Sequence, residues 1–504
     1  MWGYWIIQNP FVKKILEVLK KKETKIFVST ALIYILSLSI RRYVHSEDEW
    51  GYFLITYSVV EYRTFIIDQA IEDFQLNLTH IIYHEGHYYS VYTPGYPFLC
   101  VPFYILGKAI WFLLAQLGLF SNPSWWFKRF AYWSMMMVSL SSTSLTSVLI
   151  YRLSKTLNFT EKIATVSSLT YAYGTIVWVY AKSAFSHPTS ALFVMGAIYL
   201  AIIALDENNQ KKVVMSGLAL GYAIFMRYPN LLLTIPLASY IYLKTRKFEN
   251  LILFLCPVFC GGIGLLFYNF SLFGNPFLTG YRLVHGPTNL IVPNWEIQPI
   301  YIGLFGLLFG ISRGLLPYSP VLIFSVIGMY PWRDHKEEYF LFLSSFFTLV
   351  LFFSNFAGWF GGSNWGARYT IEVISCFVML MCPVIQKYGS KLWFWILYYI
   401  LLVYSSFSSL VGVSWRIFVP FLGYYPVFGH LDALITPDTL LSYIIYTIGF
   451  PSWSATILLA VLVTLSYILV MYPTVFSDLS RRLTTRSHKA YQQSDSSVDR
   501  GKVK

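Results

Sequence analysis

Three carboxylates in a row, Glu47-Asp48-Glu49, stand between Ser46 and Trp50 and are the residues of this sequence best placed to do chemistry. Carboxylates packed together at an apolar boundary repel one another, and partial loss of water raises a pKa. One of them is therefore suited to act as a general base toward a hydroxyl. The plainer reading is a solvated acidic turn that balances Arg41 and Arg42. Four arginines, Arg227, Arg282, Arg313 and Arg368, each sit beside aromatics or glycine. Arginine grips phosphate through paired hydrogen bonds, although snorkelling at helix ends explains the same placement. His187, in Ser183-Ala184-Phe185-Ser186-His187-Pro188, is a ligand or phosphate contact, or an interfacial histidine satisfied by a carbonyl. His84 and His87 lie in HEGH, which lacks the HExxH spacing of a zinc protease, and read as turn residues packed with tyrosines.

The elements that must hold these groups are set by composition. Of 504 residues, 56% are hydrophobic and only 12% charged. A soluble chain carries about a quarter charged residues, so lipid must replace the missing solvated surface. We expect an all-α polytopic membrane protein with about twelve spans. They run Lys25–Ile40, Phe130–Tyr151, Ile163–Tyr180, Pro188–Leu205, Val213–Phe225, Leu231–Leu243, Leu251–Phe270, Leu315–Pro331, Tyr339–Ser354, Tyr369–Ile385, Leu392–Val411 and Ser452–Val470. The net charge of +13 lies in short clusters between the apolar runs. That is the pattern of helix ends facing anionic headgroups, and it excludes nucleic acid as a partner. The five cysteines all fall in apolar stretches with no CxxC pair and read as core residues. Lysine-rich residues precede the first apolar run without a cleavage site after it, so the N-terminus is not expected to be a cleaved signal.

With both termini cytoplasmic, the inner segments hold most of the 37 lysines and arginines, which is the favoured orientation. The reading requires that the apolar segment from Pro97 to Leu117, which contains Pro102 and Lys108, lie along the outer interface or dip in and return. If it crossed, every later loop would change sides. The expected layout is one transmembrane domain over 1–475, with a first outer segment over 41–129 that carries interfacial helices, Tyr52 to Val60 among them. A disordered basic cytoplasmic tail follows over 476–504. Glu372 alone places a carboxylate inside a span, near its outer end. Coupled transporters need intramembrane partners for their ions, so this scarcity disfavours a proton-driven carrier.

In the order of these elements the sequence resembles the GT-C superfamily of membrane glycosyltransferases, which includes protein O-mannosyltransferases and lipid A aminoarabinose transferases. Asp48-Glu49 followed by Tyr52 to Glu61 resembles the family's acidic pair and interfacial helix. Gly86-His87-Tyr88-Tyr89-Ser90, Tyr92-Thr93-Pro94-Gly95 and Pro102-Phe103-Tyr104 resemble its next turn. Phe185-Ser186-His187, Phe273 to Phe277 with Gly280-Tyr281, Gly314-Leu315-Leu316 with Tyr318-Ser319-Pro320, and Trp359 to Tyr369 resemble later outer-loop elements. The resemblance spans roughly residues 26–390. It implies a polyprenyl-phosphate-linked sugar as donor, a glycan, lipid or protein acceptor, and inversion at the sugar. Asp48 would be the base, and Glu49 would support it or bind the acceptor. Arg368 and Arg227 lead the phosphate contacts, with Arg313 and Arg282 behind them, while Tyr92, Tyr281, Trp359 and Trp365 would line the pocket. Some members bind a divalent metal, for which His187 would be the ligand here. One departure is Val91, where many relatives carry a lysine before the turn, so another base must serve the phosphate. Rival readings are a transporter or flippase of a lipid-linked sugar and a non-catalytic scaffold.

Overall fold

The computed structural model describes residues 21–39, 46–76, 81–120, 122–285, 298–330, 332, 334–362, 364–414 and 431–471. The expected tail over 476–504 and the pair Arg41 and Arg42 lie outside them. The chain opens with α1 (Lys22–Leu36), α2 (Glu47–Glu61) and α3 (Asp68–Phe74). A hairpin of β1 (Ile81–His84) and β2 (His87–Ser90) follows, then α4 (Gly95–Gln116) and α5 (Pro123–Thr156). Next come α6 (Glu161–Tyr173), α7 (Val177–Ala181), α8 (Ser186–Asp206), α9 (Gln210–Met226), α10 (Thr234–Thr245) and α11 (Phe248–Phe273). The rest is α12 (Gly280–His285), α13 (Ile300–Phe309), α14 (Leu315–Tyr318), α15 (Ile323–Ile327), α16 (Lys336–Ser354), α17 (Ile371–Met379), α18 (Cys382–Tyr388), α19 (Leu392–Ser414), α20 (Leu440–Thr447) and α21 (Ser454–Met471). The hairpin is the one sheet among the described residues of a chain that is otherwise helical, as expected. Glu85 and Gly86 both take positive φ, 49° and 89°, which suits a two-residue turn whose twist matches its strands.

Eight helices among the described residues are long and apolar enough to cross a membrane. Seven coincide with expected spans, and the eighth is α4. The other five expected spans are shorter or interrupted. α1 has 15 residues and α9 has 17, while Gly174 ends α6 before α7 begins. Pro229 and Pro320 open short 3-10 turns ahead of α10 and α15, since proline suits the first turn of a helix but not its interior.

The bundle has two chemically different ends. At one, Lys22 pairs with Glu161 at 3.0 Å, Arg152 with Glu23 at 3.7 Å, and Lys244 with Glu338 at 2.9 Å. The opposite end gathers Asp48, His187, Arg227, Arg368 and Glu372. The helix α5 links the two. Its Ser139 hydroxyl donates to the Phe185 carbonyl at the second end, and the 17 residues from there to Thr156 cover about 25 Å toward the first. α4 packs along the other half of α5 and also touches α2, where Tyr104 and Lys108 bond Glu61, and α9, where the Tyr222 hydroxyl donates to the Gly95 carbonyl. Tyr96 bonds Ser139 at 2.9 Å, Gly107 faces Phe130 and Ser134, and the Trp111 indole donates to the Pro123 carbonyl at 2.9 Å. Thus α4 runs away from the site end alongside residues 123–138, as one continuous helix.

Two apolar cores follow this division, a large one in the bundle and a second beneath the site-end segments built on Tyr52, Phe53, Tyr96, Tyr132, Met135 and Met226. The second corrects one expectation. The stretch from Tyr52 to Val60 was expected to lie on a surface, yet Gly51 to Ser58 are all buried. Its sequence is apolar on every face, and such a helix belongs inside. α9 and α11 approach so closely at Gly221 and Gly261 that a Cβ on Gly261 would enter the Gly221 carbonyl. Gly261→Val should cost about 1–3 kcal/mol or more by forcing the two helices apart. A thermal unfolding midpoint in detergent equal to wild type would contradict this.

Candidate active site

The acidic run is a helix start. Ser46 accepts from the Glu49 backbone N–H while the Glu49 carboxylate accepts from the Ser46 N–H at 3.1 Å, a reciprocal capping box. The other Glu49 oxygen accepts from the Ala184 N–H at 3.1 Å, and the side chain is wholly buried. Glu49 is therefore enclosed and fixes the turn that carries Asp48. Below it, burial pushes the Lys182 ammonium down to about 8, with Asp438 and Glu49 nearby. Lys182 donates to the Val413 carbonyl and ties this junction to the end of α19.

Asp48, one residue earlier in the same turn, points the other way. Its Oδ1 accepts from the Tyr92 hydroxyl at 2.6 Å, and its Oδ2 meets the Arg368 Nη1 at 2.5 Å. Burial, with the Asp48 charge beside it, holds the Tyr92 phenol well above its usual range, so it stays a donor. Arg368 is held in turn. Its guanidinium lies 5.1 Å from the Tyr369 ring and 5.8 Å from the Phe185 ring, and the chain turns beneath it at Gly361. Gly361 has φ +71°, and a Cβ there would come within 2.8 Å of the Arg368 side chain. Tyr92 lies flat on α2 because Gly51 offers it no Cβ. Gly51→Ala should displace the ring and with it the Asp48 carboxylate. A misplacement of this kind costs roughly 10²-fold in rate, and initial rates beside the unfolding midpoint would separate it from misfolding.

Beside this pair sits a second ionic group. Glu372 Oε1 lies 2.9 Å from His187 Nδ1 and 2.6 Å from Arg227 Nε, and both Glu372 and His187 are buried. Arg227 Nη1 reaches Ser186 Oγ at 3.5 Å, and Ser186 bonds the Tyr52 hydroxyl at 2.8 Å. Arg227 can point here because the chain leaves helical geometry at that residue, with φ −155°, before Pro229 starts the next turn. Across from it the Tyr281 ring, about one-third exposed, meets the Tyr92 ring edge-on at 6.0 Å.

The structure thus gathers Asp48, Tyr92, Tyr281, Arg227, Arg368 and His187. Arg282 follows Tyr281 on α12 and makes no ion pair among the described residues. Arg313 is buried and donates to the Ser312 carbonyl at 3.0 Å and toward Gly362 at 3.4 Å, so it braces two loops. Trp359 packs on Gly306. Trp365, expected as a pocket wall, is wholly enclosed between Tyr318 and Gly412. A fused ring amid apolar residues buries readily, and sequence position alone placed it too far out. His87 bonds Asp68 at 2.8 Å on the hairpin surface, which is the turn role expected for it. No group of three His, Cys, Asp or Glu able to hold a metal occurs among the described residues. The one carboxylate beside His187 already carries a guanidinium, so the residues present do not fit a divalent cation there. Sequence reading missed the roles of Tyr52, Ser186, Lys182 and Gly51; the pattern S-x-x-E at Ser46 to Glu49 was the signal for the capped turn.

Fold and site together define a polytopic helical membrane protein with its buried ionic groups converging at one end of the bundle. Residues 109–266, from within α4 to within α11, match the family described as dolichyl-phosphate-mannose-protein mannosyltransferase. The chain is similar to GT-C superfamily glycosyltransferases, and glycosyl transfer is the activity this match supports. The matched segment contains His187 and Arg227 but neither Asp48 nor Arg368. No curated protein matches the chain by sequence. Among solved structures it is similar to ArnT from Cupriavidus metallidurans in the apo state, at 14% identity and TM-score 0.48, over 88% of this chain and 75% of that one. The same enzyme bound to undecaprenyl phosphate gives 14% and 0.47, over 88% and 76%. The Archaeoglobus fulgidus oligosaccharyltransferase tethered with an acceptor peptide gives 11% and 0.45, over 88% of this chain and 55% of that one.

Proposed function

We propose that this protein is an inverting glycosyltransferase that moves a sugar from a polyprenyl-phosphate carrier to an acceptor hydroxyl on the non-cytoplasmic face of a membrane. The observation that carries the proposal is the Asp48 carboxylate, clamped between the Tyr92 hydroxyl and Arg368 at the end of the bundle away from the basic helix ends. Lysine and arginine favour the cytoplasmic side, which puts Asp48 on the other. The hairpin of α4 and the first half of α5 then projects on that non-cytoplasmic side, and both termini face the cytosol.

In this reading the acceptor oxygen attacks the anomeric carbon from the face opposite the phosphate. The bond from that carbon to the phosphate oxygen breaks, and the polyprenyl phosphate leaves with the electron pair. Asp48 takes the hydroxyl proton as the new bond forms. Arg368 holds the base in line instead of serving the phosphate. The growing charge on the leaving phosphate falls to Arg227, aided by Arg282, because fixed positive charge at a developing anion lowers the barrier.

Transfer from a panel of radiolabelled polyprenyl-phosphate sugars by the purified full-length protein tests the proposal. Label should pass to a hydroxyl acceptor from at least one donor, with inverted anomeric configuration. Retention of configuration would remove Asp48 as a simple base, and no transfer from any donor would overturn the reading.

A further inference from the structure

Resting on the donor class proposed above, we infer that His187 and Glu372 are a positioning pair that fixes the Arg227 guanidinium for the phosphate of the lipid-linked donor. A single oxygen, Glu372 Oε1, is hydrogen-bonded to His187 Nδ1 at 2.9 Å and ion-paired with the Arg227 guanidinium, whose Nε lies 2.6 Å away. An ionised carboxylate can only accept, so Nδ1 is the protonated ring nitrogen and the imidazole is held in one orientation. The two partners come from rigid places: His187 from the first turn of α8, Glu372 from the first turn of α17. Both are 2% exposed, while the Arg227 side chain is 13% exposed. One edge of the guanidinium is therefore held in the interior by the ion pair, and the other lies at the Ser186 and Tyr52 side of the site.

This arrangement does what a phosphate contact needs. Arginine loses much side-chain freedom when it grips an anion, and prior fixing of its Nε edge removes part of that cost. The Nη2 donors, with the Nη1 hydrogen that Ser186 does not take, face phosphate oxygens. Arg368 is unsuited to the same task because its Nη1 is on Asp48. The pair also replaces the expectation of a metal at His187. A cation there would sit against Arg227, and the described residues offer only one carboxylate beside the imidazole.

The test is binding of sugar-free polyprenyl phosphate by the purified full-length protein in nanodiscs, followed by competition with a fluorescent lipid phosphate. Glu372→Gln and His187→Asn should each weaken binding roughly 10-fold or more in the wild-type background. In the Arg227→Ala background the same changes should cost less than about 3-fold, because residues that act through one another do not add. Arg227→Lys keeps the charge without the paired donors and should lose roughly 10-fold, which covers the case in which Glu372→Gln fails to fold. Chelation with EDTA should leave the wild-type affinity unchanged. Unchanged binding in Glu372→Gln, equal losses with and without Arg227, or a His187-dependent loss on chelation that a divalent ion restores would each overturn the inference. Wild-type protein that binds no polyprenyl phosphate would instead overturn the donor class and the inference with it.

Discussion

Asp48→Asn should leave the purified protein folded and lower its rate of sugar transfer by roughly 10²–10⁴-fold, the usual worth of a positioned general base. The substitution keeps shape and volume. The amide oxygen still accepts from one of the two donors that now flank it, Tyr92 or Arg368, so the local structure has a partner to keep. What disappears is the ability to take a proton, because an amide nitrogen has no usable lone pair. The loss should therefore fall on kcat with the donor KM nearly unchanged, as expected for an interaction made only in the transition state. Asp48→Glu would separate proton transfer from position. It keeps the base but moves it by a methylene, and should retain more activity than the amide while remaining well below wild type. Initial rates at saturating donor, with an unfolding midpoint for each variant, decide the matter. Transfer by Asp48→Asn within a few-fold of wild type would remove Asp48 from the chemistry.

Arg368→Met is expected to destabilise the protein strongly. It takes away the guanidinium that faces Asp48 at 2.5 Å, and both side chains are less than one-fifth exposed. Removing one partner of a buried ion pair leaves a charge without compensation and costs about 3–5 kcal/mol. The damage should be reparable. Adding Asp48→Asn to Arg368→Met removes the stranded charge and should raise the unfolding midpoint again without restoring transfer. Arg368→Lys, by contrast, keeps the charge but not the flat group that rests on Tyr369, and should fall between the two. A double variant no more stable than Arg368→Met would show that the ion pair is not what the arginine contributes.

Much of the candidate site was legible in the sequence because side-chain chemistry and its place relative to apolar runs are local properties. Asp48, His187, Arg227 and Arg368 each stand beside an apolar segment, and alternating those segments across a bilayer sends all four to one end. The partnerships were not legible. Arg368 was expected at the phosphate, but it lies on Asp48 across 320 positions of chain. His187 was expected as a metal ligand, yet it shares an oxygen of Glu372 with Arg227. Trp365 was expected to wall a pocket and is enclosed instead. Each of these depends on which helix packs beside which, and composition does not record that.

The sequence by itself determined that the chain is a helical membrane protein with polar groups at helix ends. Few charges, long apolar runs and clustered lysines leave lipid as the only solvent for its surface. It also determined the capped acidic turn, since Ser46 and Glu49 are three residues apart and close that turn without help from elsewhere. Tertiary structure alone decided that α4 packs along the half of α5 leading away from the site, and which carboxylate each arginine meets. The reason is reach. A hydrogen bond acts over about 3 Å, and only the packed bundle brings residues hundreds of positions apart to that distance.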